Sequence, residues 1–131
     1  MILRPAEPRI QVKQVILDEC EEEPYSRLKE GGKYVDELVI LPDESVIIVE
    51  YAKWPKARDG KQALESLRKL LEMGMKAIAV VIIGKKGFDK RDKGLIAQAL
   101  RSECSKHGVE VFLKRPGQVF TVKSIKFNVT N

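Results

Sequence analysis

Apolar residues recur along the chain with two different periods. Leu64, Leu67, Leu70 and Leu71 are spaced as on one face of a helix, and the series stops at Gly74, which predicts a helix over residues 61–73. Residues 46–52 and 77–83 are short, nearly continuous runs of Val, Ile and Ala, typical of strands buried on both faces. A turn signal at 42–45 joins the alternating segment 34–41 to residues 46–52, which predicts a β-hairpin.

The remaining segments complete an alternating order of helices and strands. Residues 9–23, bounded by Pro8 and Pro24, have apolar positions at helical spacing and predict a first helix. Asp89 or Asp92 is a candidate cap for another helix that closes at Gly108, and residues 109–113, 119–122 and 125–129 predict strands. The order α, β, β, α, β, α, β, β indicates an α/β protein with a mixed sheet flanked by helices, in a single domain spanning residues 1–131.

Composition narrows the class of protein and of site. A hydrophobic fraction of 44% indicates a globular chain, and the longest apolar run is too short to cross a membrane, so we expect a cytoplasmic protein without a membrane partner. Cys20 and Cys104 are far apart and His107 is the only histidine, which argues against a zinc site. A metal would therefore need oxygen ligands, as Mg²⁺, Mn²⁺ and Ca²⁺ prefer.

The net charge of +5 is unevenly distributed along the chain. Residues 1–50 contain 6 basic and 12 acidic residues, a net of −6, whereas residues 51–131 contain 18 basic and 7 acidic residues, a net of +11. A basic region opposite an acidic one suggests a polyanion such as nucleic acid, although a charged surface is also ordinary for a soluble protein.

Two acidic residues interrupt segments that are otherwise apolar. Glu50 lies inside VIIVEYA, where an unpaired buried carboxylate costs several kcal/mol, so we expect a cation or a hydrogen-bond partner for it. Asp36 lies near the start of the preceding hairpin strand, where it could stand beside Glu50. Two adjacent carboxylates can bind a divalent cation, and Lys53 adds a positive group for water activation, a set suited to attack on a phosphodiester.

This constellation resembles the PD-(D/E)XK nuclease superfamily, which includes restriction endonucleases and archaeal resolvases. The resemblance covers residues 10–83 and rests on the element order and on Asp36, Glu50 and Lys53. It implies a restriction endonuclease-like fold, a metal-dependent endonuclease acting on DNA, Mg²⁺ or Mn²⁺ on Asp36 and Glu50, Lys53 at the attacking water, and a homodimer. Gln62 is similar to a glutamine that some branches place near the scissile strand.

One feature departs from the superfamily. Its acid and lysine are separated by one residue, whereas Tyr51 and Ala52 both lie between Glu50 and Lys53. In a regular strand this spacing sends the two side chains to opposite faces, and a β-bulge at Tyr51 and Ala52 would realign them. Without a bulge, Lys56 or Lys61 would have to supply the cation, or the protein binds DNA without cutting it.

Basic residues cluster after the predicted hairpin and central strands, where α/β sheets bind ligands. Trp54 stands among them and could stack on a base, although core packing is an equal explanation. The candidate nucleic-acid-binding residues are Trp54, Lys56, Arg58, Lys61, Gln62, Lys85, Lys86, Lys90 and Arg91.

Two other functions compete with a nuclease. The segment Gly84, Lys85, Lys86, Gly87 resembles the GxxG loop of KH domains, which clamps a single-stranded nucleic-acid backbone, although that loop normally joins two helices. A non-enzymatic assembly protein, whose basic face meets an acidic partner, is the other alternative.

Overall fold

The computed structural model describes residues 2–30, 32 and 34–130. Two α-helices lie within these residues, α1 (Ala57–Glu72) and α2 (Lys90–Lys106), together with a short 3-10 helix at Tyr25–Lys29. The strands are β1 (Leu3–Pro5), β2 (Lys13–Ile16), β3 (Glu37–Ile40), β4 (Val46–Ala52), β5 (Ala77–Gly84), β6 (Glu110–Lys114), β7 (Val119–Val122) and β8 (Ile125–Val129). Neither α-helix is long and apolar enough to cross a membrane.

The strands form two sheets. A five-stranded sheet has the order β2-β3-β4-β5-β6, in which β2, β3 and β4 are antiparallel and β4, β5 and β6 are parallel. Each parallel connection needs a crossover, and α1 and α2 supply the two crossovers. The other sheet is antiparallel with the order β1-β8-β7. The predicted α/β class with a mixed sheet and helices is therefore confirmed.

The five-stranded sheet separates two hydrophobic cores. On one face, Ile48 and Ile82 pack with Leu67 of α1 and Leu100 of α2. On the other face, the alternate residues of β4 and β5 pack against the three-stranded sheet, whose Phe127 is fully buried. Because both faces are covered, β5 is buried along its whole length, as its continuous apolar sequence predicts.

Both helices begin at side-chain caps. The Asp59 carboxylate accepts the Lys56 backbone N–H at 2.6 Å, at the start of α1. Asp89, rather than Asp92, caps α2, and its carboxylate accepts the N–H groups of Arg91 and Asp92 at 3.0 and 3.2 Å. These bonds satisfy amides that have no partner within the helix.

The predicted first helix over residues 9–23 is wrong. Its centre is strand β2, which pairs antiparallel with β3 from Lys13 opposite Ile40 to Ile16 opposite Glu37. Val15 and Leu17 are the buried residues here, at the two-residue spacing of an extended chain rather than at helical spacing. The predicted order of elements is consequently wrong at its start, and it also omits β1.

Candidate active site

Two carboxylates meet where β3 begins and β4 approaches its end. Glu37 pairs with Val49 in the antiparallel ladder, so Asp36, one residue earlier, stands beside Glu50. Glu50 is 4% exposed, and Asp36 is only partly buried. The structure thus brings the two predicted metal ligands together, with Asp36 on the more accessible side.

Glu50 lacks the partner that its burial requires. Its Oε1 lies 3.5 Å from Nε2 of Gln62, at the outer limit of a hydrogen bond, and its buried Oε2 has no hydrogen-bond partner in the part of the chain that the structure describes. No cation among the described residues forms an ion pair with it. The expectation of a protein partner for Glu50 is therefore met only by the distant Gln62 amide.

Asp36 is held in place by the backbone. Its Oδ2 accepts the backbone N–H of Tyr51 at 2.8 Å, across the end of the hairpin. The carboxylate is thereby fixed next to β4, while Oδ1 has no hydrogen bond with the described residues. One oxygen of Asp36 and one of Glu50 are consequently available to a ligand.

The environment of the pair disfavours its negative charge. Burial, followed by the charges of Asp36 and Asp59, raises the pKa of Glu50 to about 9. Burial also raises the pKa of Asp36, which the Tyr51 N–H and the positive charge of Lys85 partly offset. At neutral pH Glu50 is therefore protonated unless a cation replaces its proton.

Helix α1 contributes two further polar side chains to this region. Gln62, predicted from the sequence, donates from Nε2 to the backbone carbonyl of Tyr34 and faces Glu50. Asp59 was not predicted, but its charge raises the pKa of both carboxyls. An aspartate at the start of a helix is explained by capping alone, so the sequence gives no indication of a further role for Asp59.

Lys53 does not join the acidic pair. The pairing of β4 with β5 continues without interruption from Ile47 to Ala52, and its only irregularity lies between Val46 and Ile47, so the proposed β-bulge at Tyr51 and Ala52 is absent. Lys53 is exposed, and among the described residues its side chain has no hydrogen bond or ion pair. The regular strand thus leaves the Glu50 and Lys53 side chains unaligned.

The two substitutes considered for Lys53 do not reach the pair either. Nζ of Lys56 lies 3.1 Å from Oδ2 of Asp92, in an ion pair with α2. Lys61 is exposed near the start of α1 and has no ion pair within the described residues.

The positive charge of Lys85 acts on Asp36, one member of the acidic pair. Lys85 follows β5 directly, and its N–H donates to the carbonyl of Ala52 at 2.9 Å. Its Nζ lies 4.3 Å from the ring centroid of Tyr51, the residue whose N–H binds Asp36. The sequence could not identify this role, because the parallel pairing of β4 and β5 joins residues 32 positions apart in the chain.

The other candidate nucleic-acid-binding residues surround this end of the sheet. Trp54 is 49% exposed, and its ring lies 3.4 Å from the point where a Cβ on Gly87 would stand. It is thus a surface residue rather than part of the core. The remaining candidates are exposed side chains, namely Arg58, Lys86, Lys90 and Arg91.

The donor set decides which metal chemistry is possible. Within residues 2–30, 32 and 34–130, no group of three or more His, Cys, Asp or Glu side chains is placed to hold a metal ion. Asp36 and Glu50 nevertheless provide two oxygen ligands and an unpaired buried carboxylate oxygen. Mg²⁺ and Mn²⁺ sites often use one or two carboxylates and complete their coordination with water and substrate phosphate, so the residues fit such an ion.

The glycine loop has a different setting from the KH motif. Gly84 ends strand β5 and Gly87 lies in the turn that leads to helix α2, whereas the KH loop joins two helices. A Cβ at Gly84 would lie 2.2 Å from the carbonyl oxygen of Gly87, so the first glycine is required by this tight turn.

Comparisons with models of known protein families, with curated proteins and with solved structures found no match to this chain.

Proposed function

We propose that this chain is a metal-dependent nuclease that hydrolyses DNA phosphodiesters at the Asp36 and Glu50 pair, on a restriction endonuclease-like core. The observation that carries the proposal is Glu50, a carboxyl group that is 4% exposed inside an apolar strand and has an unpaired Oε2. A buried acid beside a second acid is costly, and proteins tolerate that cost mainly at functional sites.

Asp36 and Glu50 would hold Mg²⁺ or Mn²⁺, which supplies an activated water and neutralises negative charge on the phosphate. The protein contributes the arrangement around that ion. The Tyr51 N–H fixes Asp36, Gln62 faces Glu50, and the positive charge of Lys85 acts on Asp36. A phosphodiester entering from the Asp36 side would thus meet Lys85, which can stabilise the negative charge that develops during attack.

The test is cleavage of supercoiled and branched DNA with Mg²⁺ or Mn²⁺. We expect Glu50→Gln to lower the rate by at least about 100-fold, since even residues around metal ligands typically contribute 10–100-fold. Glu37→Gln is the matched control, because Glu37 is 1% exposed and also has an unpaired oxygen but lies on the opposite face of the sheet. Equal cleavage by the wild type and Glu50→Gln would refute the site.

A second pair of variants tests which lysine contributes to DNA cleavage. Lys85→Ala should lower the cleavage rate by roughly 100-fold, the lower end of the effect of losing one electrostatic contact to the transition state. Lys53→Ala should leave it within about 2-fold, because the charge of an exposed, unaligned side chain is strongly screened by water and salt. The reverse ranking would show that Lys53 moves into the site when DNA binds.

The resemblance also implies a homodimer, and we retain this as a prediction. Sedimentation equilibrium with and without DNA measures it directly. If the wild type binds Mn²⁺ and DNA yet cleaves none of the substrates, the protein is a non-cleaving DNA-binding relative.

A further inference from the structure

A basic cleft lies at the same end of the five-stranded sheet as the acidic pair and is formed mainly by residues with no role assigned above. Lys85 and Lys86 after β5, together with Arg115 and Gln118 in the β6–β7 turn, line a cavity of about 370 Å³. A neighbouring cavity of about 420 Å³ shares Arg115 and Gln118 with it. The cations that line the two cavities are Lys85, Lys86, Lys93, Lys114 and Arg115.

These cations are not neutralised by the protein. None of the five takes part in an ion pair among the described residues, and no acidic residue lines either cavity. The nearest acids in the sequence act elsewhere, since Asp89 caps α2 and Asp92 pairs with Lys56. Glu110 lies at the start of β6, the opposite end from Lys114 and Arg115. The cleft therefore carries a concentrated positive charge, which would attract an external anion.

The cleft is also held in shape. Lys85, Lys93 and Lys114 each place Nζ over an aromatic ring, at 4.3, 5.7 and 5.9 Å from the centroids. The Oε1 of Gln118 accepts the Arg115 N–H at 2.8 Å, which leaves the Gln118 Nε2 as a free donor among the described residues. The turn is anchored to β8, because Gly117 N–H donates to the Val129 carbonyl at 2.8 Å.

We infer that this cleft binds the phosphate backbone of a DNA duplex, and that the backbone reaches the acidic pair past Lys85. Lysine, arginine and amide N–H groups are the donors that contact phosphate oxygens without reading the base sequence. All three parallel strands end here, and the crevice beyond such strand ends is the usual ligand site of α/β sheets. The choice of DNA as the ligand rests on the proposed function. The inference assigns DNA binding to residues other than the proposed metal ligands.

Lys85 connects the two sites. It lines the cleft, and its Nζ lies 4.3 Å from the ring centroid of Tyr51, whose backbone N–H donates to Asp36. A backbone seated in the cleft would therefore continue past Lys85 toward the carboxylates. Arg115 and Gln118 would bind phosphates that flank the one being attacked.

The test measures binding of a short fluorescein-labelled DNA duplex in EDTA, so that metal and cleavage play no part. We expect Arg115→Glu and Lys86→Glu each to weaken binding by at least about 10-fold at low salt and to reduce the slope of log K against log [NaCl] by about 1–2. Arg101→Glu is the matched control, because Arg101 is an exposed arginine of α2 without an ion pair among the described residues. It should change binding by about 2-fold or less, the effect of a distant, screened charge.

Equal binding by Arg115→Glu, Lys86→Glu and Arg101→Glu would overturn the cleft assignment. Equal affinity of the wild type for polyglutamate would overturn the choice of nucleic acid as ligand. Circular dichroism checks that the variants are folded, as exposed substitutions should be. Failure of the proposed function is distinguishable, since Glu50→Gln would then cleave DNA normally while the EDTA binding results still stand.

Discussion

At the scale of single residues, Glu50 is the least expected feature of the molecule. An isoleucine or valine at this position would pack into the core at no electrostatic cost, as Ile48 does two residues earlier on the same face of β4. The carboxyl instead lies next to a second carboxyl and has no ion pair with any described residue. Its energetic cost is therefore measurable as an effect of pH on folding.

The free energy of unfolding should fall as the pH rises, when measured in EDTA. The pKa of Glu50 is raised from 4.5 to about 9, so the folded protein retains a proton that the unfolded chain has lost. The stabilisation from the protonated form is complete below the unfolded pKa and is lost as the pH approaches the folded one. Between these limits the slope contributed by one proton is at most about 1.4 kcal/mol per pH unit.

Urea titrations of the wild type and of Glu50→Gln over this pH range measure the effect. The free energy of unfolding of Glu50→Gln should decline much less as the pH rises, because the amide never ionises. The variant should therefore be more stable than the wild type at pH 8. Asp43→Asn is a suitable control, since Asp43 is exposed and its pKa is lowered by Ser45. Parallel pH profiles for the wild type and Glu50→Gln would contradict the protonation state assigned here.

At the scale of elements, the site depends on how strands end. β4 and β5 stop side by side, with Ala52 opposite Gly84, and this places Lys85 above Tyr51. The loop that follows turns sharply enough to bring the Gly87 carbonyl against Gly84. The geometry of this loop therefore determines the positions of Lys85 and Lys86.

Gly84→Ala should therefore destabilise the protein. The new Cβ would lie 2.2 Å from the Gly87 oxygen, so the loop must shift, and we expect a cost of about 1–3 kcal/mol in the free energy of unfolding. The loss of DNA binding should accompany it, because the lysines move with the loop.

Gly94→Ala is the control for this prediction. Gly94 lies inside α2 with no atom within 4 Å of an added Cβ, so the change should stabilise the protein by about 0.5–1 kcal/mol. Urea denaturation measures both values. Equal effects of the two substitutions would show that the loop accommodates a side chain.

At the scale of the whole molecule, the order of strands separates the charges. β2 and β6 are the opposite edges of the five-stranded sheet. The acidic run after β2, residues 18–23, is mostly exposed at one edge, while Lys114 and Arg115 end the strand at the other. The acidic first part and the basic second part of the sequence thus become two sides of one surface, and only the β5 and β6 side has the charge that would attract a polyanion.

The two sheets should unfold together. Phe120 links them, with ring centroids 4.7 Å from Phe112 of β6 and 6.0 Å from Phe127 of β8. Phe127→Ala should cost about 3–5 kcal/mol, the usual effect of removing a buried ring, whereas Val119→Ala at a 44% exposed position should cost about 0.5 kcal/mol or less.

Far-UV circular dichroism and Trp54 fluorescence should report coincident thermal transitions. Trp54 follows β4 in the five-stranded sheet, so its fluorescence reports on that sheet. Two separated transitions would show that the three-stranded sheet is an independent unit and would contradict the prediction of a single domain.

The sequence was most informative where structure depends on neighbouring residues. The predicted helix over 61–73 corresponds to Ala57–Glu72, and the predicted strand over 77–83 to Ala77–Gly84. Helical periodicity and a continuous apolar run are local signals of burial. The first helix was wrong because β2 owes its extended form to pairing with β3, some 20 residues away, and that partner outweighs the local pattern.

By itself, the sequence determined the α/β class, the two central strands, both helices, the placement of Glu50 in an apolar strand and the separation of charge. Only the tertiary structure decided that Asp36 stands beside Glu50, that Lys85 rather than Lys53 is the neighbouring cation, and that Arg115 and Gln118 close a basic cleft with Lys86. The physical reason is the range of the interactions. Burial and helix periodicity depend on residues that are close together in the sequence, whereas a site built from the ends of several strands depends on which strands pair and in which register.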